Sequence, residues 1–155
     1  MRTLEGQLVV GDAKFCILAA RFHDQIVEDL IRGAVDTLKR HGAADSAVDL
    51  VRVPGAFELP LAARRVAHSR QYDGLIALGV VIRGATPHFD YICTECAAGL
   101  SRVSHEFDVP VGFGVLTCDT VEQALERSGV KHGNKGAEAA RAAVEMVSLL
   151  RQIVP

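Results

Sequence analysis

The stretch Arg83-Gly84-Ala85-Thr86-Pro87-His88-Phe89-Asp90 brings a cation, a loose turn of small residues, an imidazole and a carboxylate together in the chain. Thr86 is suited to cap a helix, Pro87 to its first position and Asp90 to its first turn. A strand that empties through such a turn into a helix leaves backbone N–H groups unsatisfied, and these seat an anion the size of phosphate. His88, at the same helix start, has a side chain able to carry protons near neutral pH. Anion recognition beside a proton carrier is the chemistry of an enzyme.

Three further clusters have comparable residue types. Arg21-Phe22-His23 joins a cation, an aromatic ring and a second imidazole, Pro54-Gly55-Ala56-Phe57-Glu58 ends in a carboxylate, and Thr117-Cys118-Asp119 ends in another. Each has a plainer reading. On position alone Phe22 is core filling rather than a stacking platform. Glu58 in a first helical turn is a capping partner, His88 a surface residue, and Arg127 near a helix end a complement to the macrodipole. Lys135 among glycines lacks the strand and spacing of a phosphate loop. Cys93 and Cys96 have C-x-x-C spacing, but without a second pair they read, with Cys16 and Cys118, as small buried hydrophobes; no metal is expected.

The elements that must position these residues alternate strand and helix. Leu75–Ile82 and Lys14–Ala20 are apolar runs of the kind covered on both faces in a parallel sheet. Val48–Val53 and Val109–Cys118 complete about four such strands. Helices follow each, over about 24–40, 56–68, 88–107 and 120–127, with a last helix after Gly136 carrying Ala140, Ala143, Val144, Val147 and Leu150 on one face. Residues 3–10, within an arm over 1–12, form a weak edge strand because Gly6 sits inside it. The order implies right-handed crossovers and one domain over 1–155: a three-layer α/β/α sandwich, flavodoxin-like, with an N-terminal arm. In such sheets ligands bind outside the carboxyl ends of the strands, so all four clusters share one rim.

Composition sets the outer bounds. The 155 residues suffice for one core, and 49% hydrophobic content with only 5% aromatics and no Trp means that Ala, Val, Leu and Ile supply it. Mean hydropathy of +0.20 suggests apolar surface buried between subunits. A net charge of −2 offers no footprint for nucleic acid or an anionic membrane. No span-length apolar run and no signal peptide are read, so a cytoplasmic location is expected.

Taken together, Arg21-Phe22, Val53-Pro54-Gly55-Ala56-Phe57-Glu58-Leu59-Pro60, Leu78 to Tyr91 and Gly133-Asn134-Lys135-Gly136 resemble the lumazine synthase family of riboflavin biosynthesis. The likeness runs from Leu4 to about Met146, and its Ile82–Asp90 run is highly specific. The resemblance implies condensation of 5-amino-6-(D-ribitylamino)uracil with 3,4-dihydroxy-2-butanone 4-phosphate to give 6,7-dimethyl-8-ribityllumazine, phosphate and water, without a cofactor. It implies that Phe22 stacks on the pyrimidine, that Ala56, Phe57 and Glu58 hold the ribityl chain, and that Val80, Val81 and Ile82 meet the ring edge. Ala85 and Thr86 would bind phosphate, His88 would transfer protons, and Arg127 would clamp the phosphate. Phe113 and Lys135 would complete the pocket, these last three residues coming from a neighbouring subunit. The family builds pentamers, some of them joined into decamers or 60-mer icosahedral shells, and the short turn over 129–136 resembles that of shell-forming members. Riboflavin synthase is a further partner the resemblance suggests.

Three positions depart from the common family pattern: His23 for Asn, Val80 for Thr and Phe89 for Tyr. His23 adds a second candidate proton carrier. Two rival readings stand beside the synthase: a non-catalytic flavin or lumazine carrier using Phe22 and the apolar rim, and a thiol-redox or metal protein using Cys93 and Cys96. A receiver domain would need an acidic cluster after Ala20, and a flavodoxin proper a Ser/Thr-rich loop there; neither is present.

Overall fold

The computed structural model describes residues 1–153. Four strands, β1 (Phe15–Ala20), β2 (Val48–Val53), β3 (Gly74–Ile82) and β4 (Val111–Cys118), form one sheet in the order β2-β1-β3-β4. Every pairing is parallel. The helices are α1 (Asp24–Arg40), α2 (Leu59–His68), α3 (His88–Phe107), α4 (Val121–Glu126) and α5 (Lys135–Leu150).

Residue alternation along β1 shows how the sheet is covered on both sides. Phe15, Ile17 and Ala19 point into a core shared with α1, α4 and α5, while Cys16, Leu18 and Ala20 meet α2 and α3. All six are buried, which is why the strand reads as an unbroken apolar run rather than an alternating one. The three-layer α/β/α arrangement expected from the sequence is thus the observed one, with β2 and β4 as free edges. Gly112 lets α5 press on β4: a Cβ there would stand 2.2 Å from the Ala139 carbonyl oxygen.

The arm departs from expectation. Residues 3–10 form no strand. Side chains of α5 and its end, and the residue closing α1, hold three of their backbone groups instead: Gln7 N–H donates to Ser148 Oγ at 3.0 Å, the Gln152 side-chain amide donates to Glu5 O at 2.7 Å, and Val10 N–H donates to His41 O at 2.9 Å. Gly6, read as a weak point of a strand, is instead a contact point, since a Cβ would meet the Glu145 carbonyl oxygen at 2.1 Å. Val10 is buried under this arrangement.

The helix starts were legible only in part. Thr120 caps α4, accepting from Gln123 N–H at 3.2 Å. Thr86 does not cap α3; Pro87 takes the capping position without a side-chain hydrogen bond, and the helix begins at His88. Asn134 caps α5 and does more. Its Oδ1 accepts from Ala137 N–H, while Nδ2 donates to Asp29 O at 2.9 Å and Ser128 O at 3.0 Å. One half-buried amide therefore ties the loop 127–134 to α1.

Candidate active site

The carboxyl ends of β1, β2 and β3 open onto a cleft of about 470 Å³. Phe22 and His23 form one wall, Gly55, Ala56, Phe57 and Glu58 a second, and Val80, Val81 and Ile82 the floor. Gly84, Thr86, His88, Phe89 and Ile92 close the remaining side. The walls are mainly apolar with a few convergent polar groups, as expected of an organic-ligand site.

Each wall has a local cause. Phe22 is 63% exposed, so the core-filling reading of it is overturned. Its ring lies over Gly55, where a Cβ would come within 2.6 Å of Cδ2. The glycine is what allows the aromatic face to turn toward the cleft. His23 occupies the left-handed region, φ 59 and ψ 49, at the start of α1, and its imidazole makes no capping hydrogen bond. Histidine is among the side chains that enter this region more readily than most. Glu58 Oε2 accepts from Gly55 N–H at 2.9 Å, closing a capping box over the short helical turn Ala56–Glu58. The capping role read for Glu58 is therefore real, and it fixes the carboxylate at the edge of the cleft, where its second oxygen remains for a ligand.

On the fourth side, Arg83 N–H donates to Cys118 O at 2.9 Å, and then the chain leaves the sheet. Among the described residues, the N–H groups of Gly84, Ala85 and Thr86 donate to no backbone carbonyl. Three free donors in a turn leading into the helix α3 suit an anion. His88, exposed in the first turn of α3, shares a helix face with Ile92, which sequence reading did not single out. The i, i+4 spacing was the available signal.

Nine of the expected residues therefore meet around one cleft: Phe22, Ala56, Phe57, Glu58, Val80, Val81, Ile82, Thr86 and His88. Ala85 belongs to the adjoining turn but is not part of the lining. Phe113, Arg127 and Lys135 lie elsewhere on the chain. Phe113 is 45% exposed on the free edge strand β4, beside a shallower groove with Ala97, Ser101 and His105 of α3. Arg127 caps α4, donating from Nη1 to Gln123 O at 3.0 Å. Lys135 opens α5 and pairs with Glu138 at 2.7 Å.

Cys96 is buried in the core between α3 and the sheet, and burial pushes its thiol up to about 11. Burial likewise raises Cys93, three residues earlier. Thiols held in the protonated form are poor nucleophiles and poor ligands, which disfavours the redox reading.

A flavodoxin-like α/β domain with a mainly apolar cleft at its strand ends, a turn of free amides and an adjacent imidazole defines a class: α/β domains with a small-molecule cleft at the carboxyl ends of the sheet, equipped to seat an anion beside an imidazole. Residues 12–151 match the family model described as 6,7-dimethyl-8-ribityllumazine synthase, and the chain belongs to that family. Membership brings a transferase activity on small molecules in riboflavin biosynthesis. No helix among the described residues is long and apolar enough to cross a membrane.

Proposed function

We propose that the cleft condenses 5-amino-6-(D-ribitylamino)uracil with 3,4-dihydroxy-2-butanone 4-phosphate, releasing 6,7-dimethyl-8-ribityllumazine, phosphate and water. The observation that carries this reading is the union of Phe22, Glu58, the free amides of Gly84 and Thr86 and His88 on one cleft, with that of Ala85 in the adjoining turn. The exposed Phe22 ring stacks on the pyrimidine, and the backbone of Val80–Ile82 meets its edge. The Ala56–Glu58 turn receives the ribityl hydroxyls, with the Glu58 oxygen left over from the capping box as acceptor.

The chemistry asks little beyond position and protons. The aromatic amine adds to the ketone, and water leaves to give an imine. Loss of a carbon-bound proton and of phosphate follows, and the ribityl-bearing nitrogen closes the ring with a second dehydration. Holding two substrates in attack geometry replaces a bimolecular encounter, an advantage that can reach several kcal/mol. His88 takes and returns the protons of the dehydrations and the elimination. The amides of Gly84, Ala85 and Thr86 hold the phosphate as it departs.

A cation is missing from this inventory. Arg127 is placed outside the cleft of its own chain, as are Lys135 and Phe113. We assign these three to the cleft of a neighbouring copy in a homo-oligomer, a pentamer by the family's habit. Exposed Phe57, Leu61, Tyr91 and Phe113 offer the apolar surface such an assembly would cover. Association of pentamers into decamers or 60-mer shells, and of these with riboflavin synthase, rests on the resemblance alone.

Purified protein mixed with both substrates should generate the lumazine absorbance in proportion to enzyme. Binding of the product without its formation would favour a carrier instead.

A further inference from the structure

Arg83 stands at the junction of three elements. Its main-chain N–H donates to Cys118 O at 2.9 Å, and its side-chain Nε donates to Asp119 Oδ1 at 2.8 Å. Backbone and guanidinium of one residue thus both grip the end of β4. On its other side the guanidinium lies 3.4 Å from Asp90 Oδ1 and 4.3 Å from the centroid of the Phe89 ring. Phe89 is almost fully buried and lines the cleft. The side chain itself is 46% exposed, so these contacts contribute geometry more than stability.

What lies between the two gripped points is the anion turn and His88. Among the described residues the N–H groups of 84–86 are not tied to any backbone carbonyl, so the segment is held chiefly by its ends. Arg83 is one end; Phe89 and Asp90, which it touches, are the other. A planar fork that stacks and bonds at once is the side chain suited to this task, and a lysine is not. Its charge, moreover, is spent on two carboxylates and is not directed to a ligand.

We infer that Arg83 is a positioning residue: with Asp119, just past the end of β4, as its anchor, it holds both ends of the 84–88 segment and thereby sets the anion turn and His88 in their working places. The inference rests on the proposed reaction and adds to it a requirement for Asp119, a surface carboxylate that does not line the cleft.

Two variants of the full assembled protein test it, Arg83→Lys and Asp119→Ala, alone and combined. Each is expected to lower kcat by about five- to twentyfold, as sub-ångström misplacement of a catalytic group does, while KM for the pyrimidine stays within about twofold. The double variant should be no slower than the worse single one, because both break the same strut. Each should also weaken the binding of inorganic phosphate, measured by phosphorus NMR titration, a readout independent of turnover. Wild-type kcat and phosphate affinity in Asp119→Ala would overturn the inference. So would multiplicative losses in the double variant, or an Arg83→Lys variant that changes only KM for the phosphorylated ketone, the mark of a direct ligand. Absence of lumazine formation by the wild type would instead strike the proposed reaction, and the phosphate titration would then decide the positioning role by itself.

Discussion

Gly55→Ala isolates the role of the Phe22 ring without touching the ring itself. A methyl group at position 55 would stand 2.6 Å from Phe22 Cδ2 and 2.7 Å from Cε2, with Glu58 Oε2 at 3.3 Å. Ordinary carbon contacts begin near 3.5 Å, so the ring must withdraw by roughly 0.9 Å or swing to another rotamer. Because Phe22 is largely exposed, that movement disturbs no core. Gly55 has φ −143 and ψ −177, an extended conformation that alanine adopts freely. Restricting the unfolded chain then offsets any strain by about 0.4–1 kcal/mol, and the melting temperature should hold or rise slightly. Stacking is another matter. An aromatic pair contributes about 0.5–1.5 kcal/mol beyond its buried area. Its loss should weaken binding of a ribitylaminopyrimidine analogue roughly two- to twelvefold. Isothermal titration calorimetry reads the affinity and differential scanning calorimetry the stability. An unchanged Kd would refute the stacking platform. A fall in Tm large enough to explain the lost binding would refute the claim that the ring moves freely.

Further outcomes follow from other sites. His88→Ala should slow lumazine formation by about a hundredfold or more while leaving product affinity within a few-fold, measured by steady-state absorbance and fluorescence titration. Unchanged turnover would shift the proton work to His23. Arg127→Ala should raise KM for the phosphorylated ketone and spare the pyrimidine; mixing it with a His88→Ala chain should restore some activity if the two residues meet across a subunit boundary. Gly112→Ala drives a methyl into the Ala139 carbonyl and should cost about 1–3 kcal/mol in urea unfolding. Alkaline pH should destabilise the fold through its buried thiols. Burial raises Cys16 to about 12 and Cys96 to about 11, against 9.0 unperturbed, so the folded state holds these protons more tightly than the unfolded one. That contribution is complete below pH 9 and is lost as pH climbs through 11 to 12, so urea midpoints should drop between pH 8 and 10.5. A Cys16→Ala, Cys96→Ala chain should show a shallower drop.

The sheet was legible because β1 and β3 are apolar on both faces, a pattern only a covered parallel strand requires. The cleft followed, since strand ends and helix starts dictate where a rim must be. Residues 3–10 misled because extended chain and strand share the same local pattern. What distinguishes them is the partner, and here the partners are Ser148 and Gln152 at the far end of the chain. Phe22 was open on position alone for a related reason: an aromatic at a strand end is buried or exposed according to what sits beneath it. Gly55, thirty-three positions away, decides that. The role of Arg83 had no local signal, because Asp119 is thirty-six residues distant. Phe113, Arg127 and Lys135 could not be placed on the cleft from one chain's periodicity, and a single chain leaves them outside it.

The most direct test is a crystal structure of the assembled protein with a phosphonate analogue of the butanone phosphate. The phosphonate should sit on the amides of Gly84, Ala85 and Thr86, within hydrogen-bonding reach of His88, with Arg127 of an adjoining copy closing on it. A phosphonate bound at any other place on the chain, with the 84–88 turn left empty, would contradict the proposed reaction site.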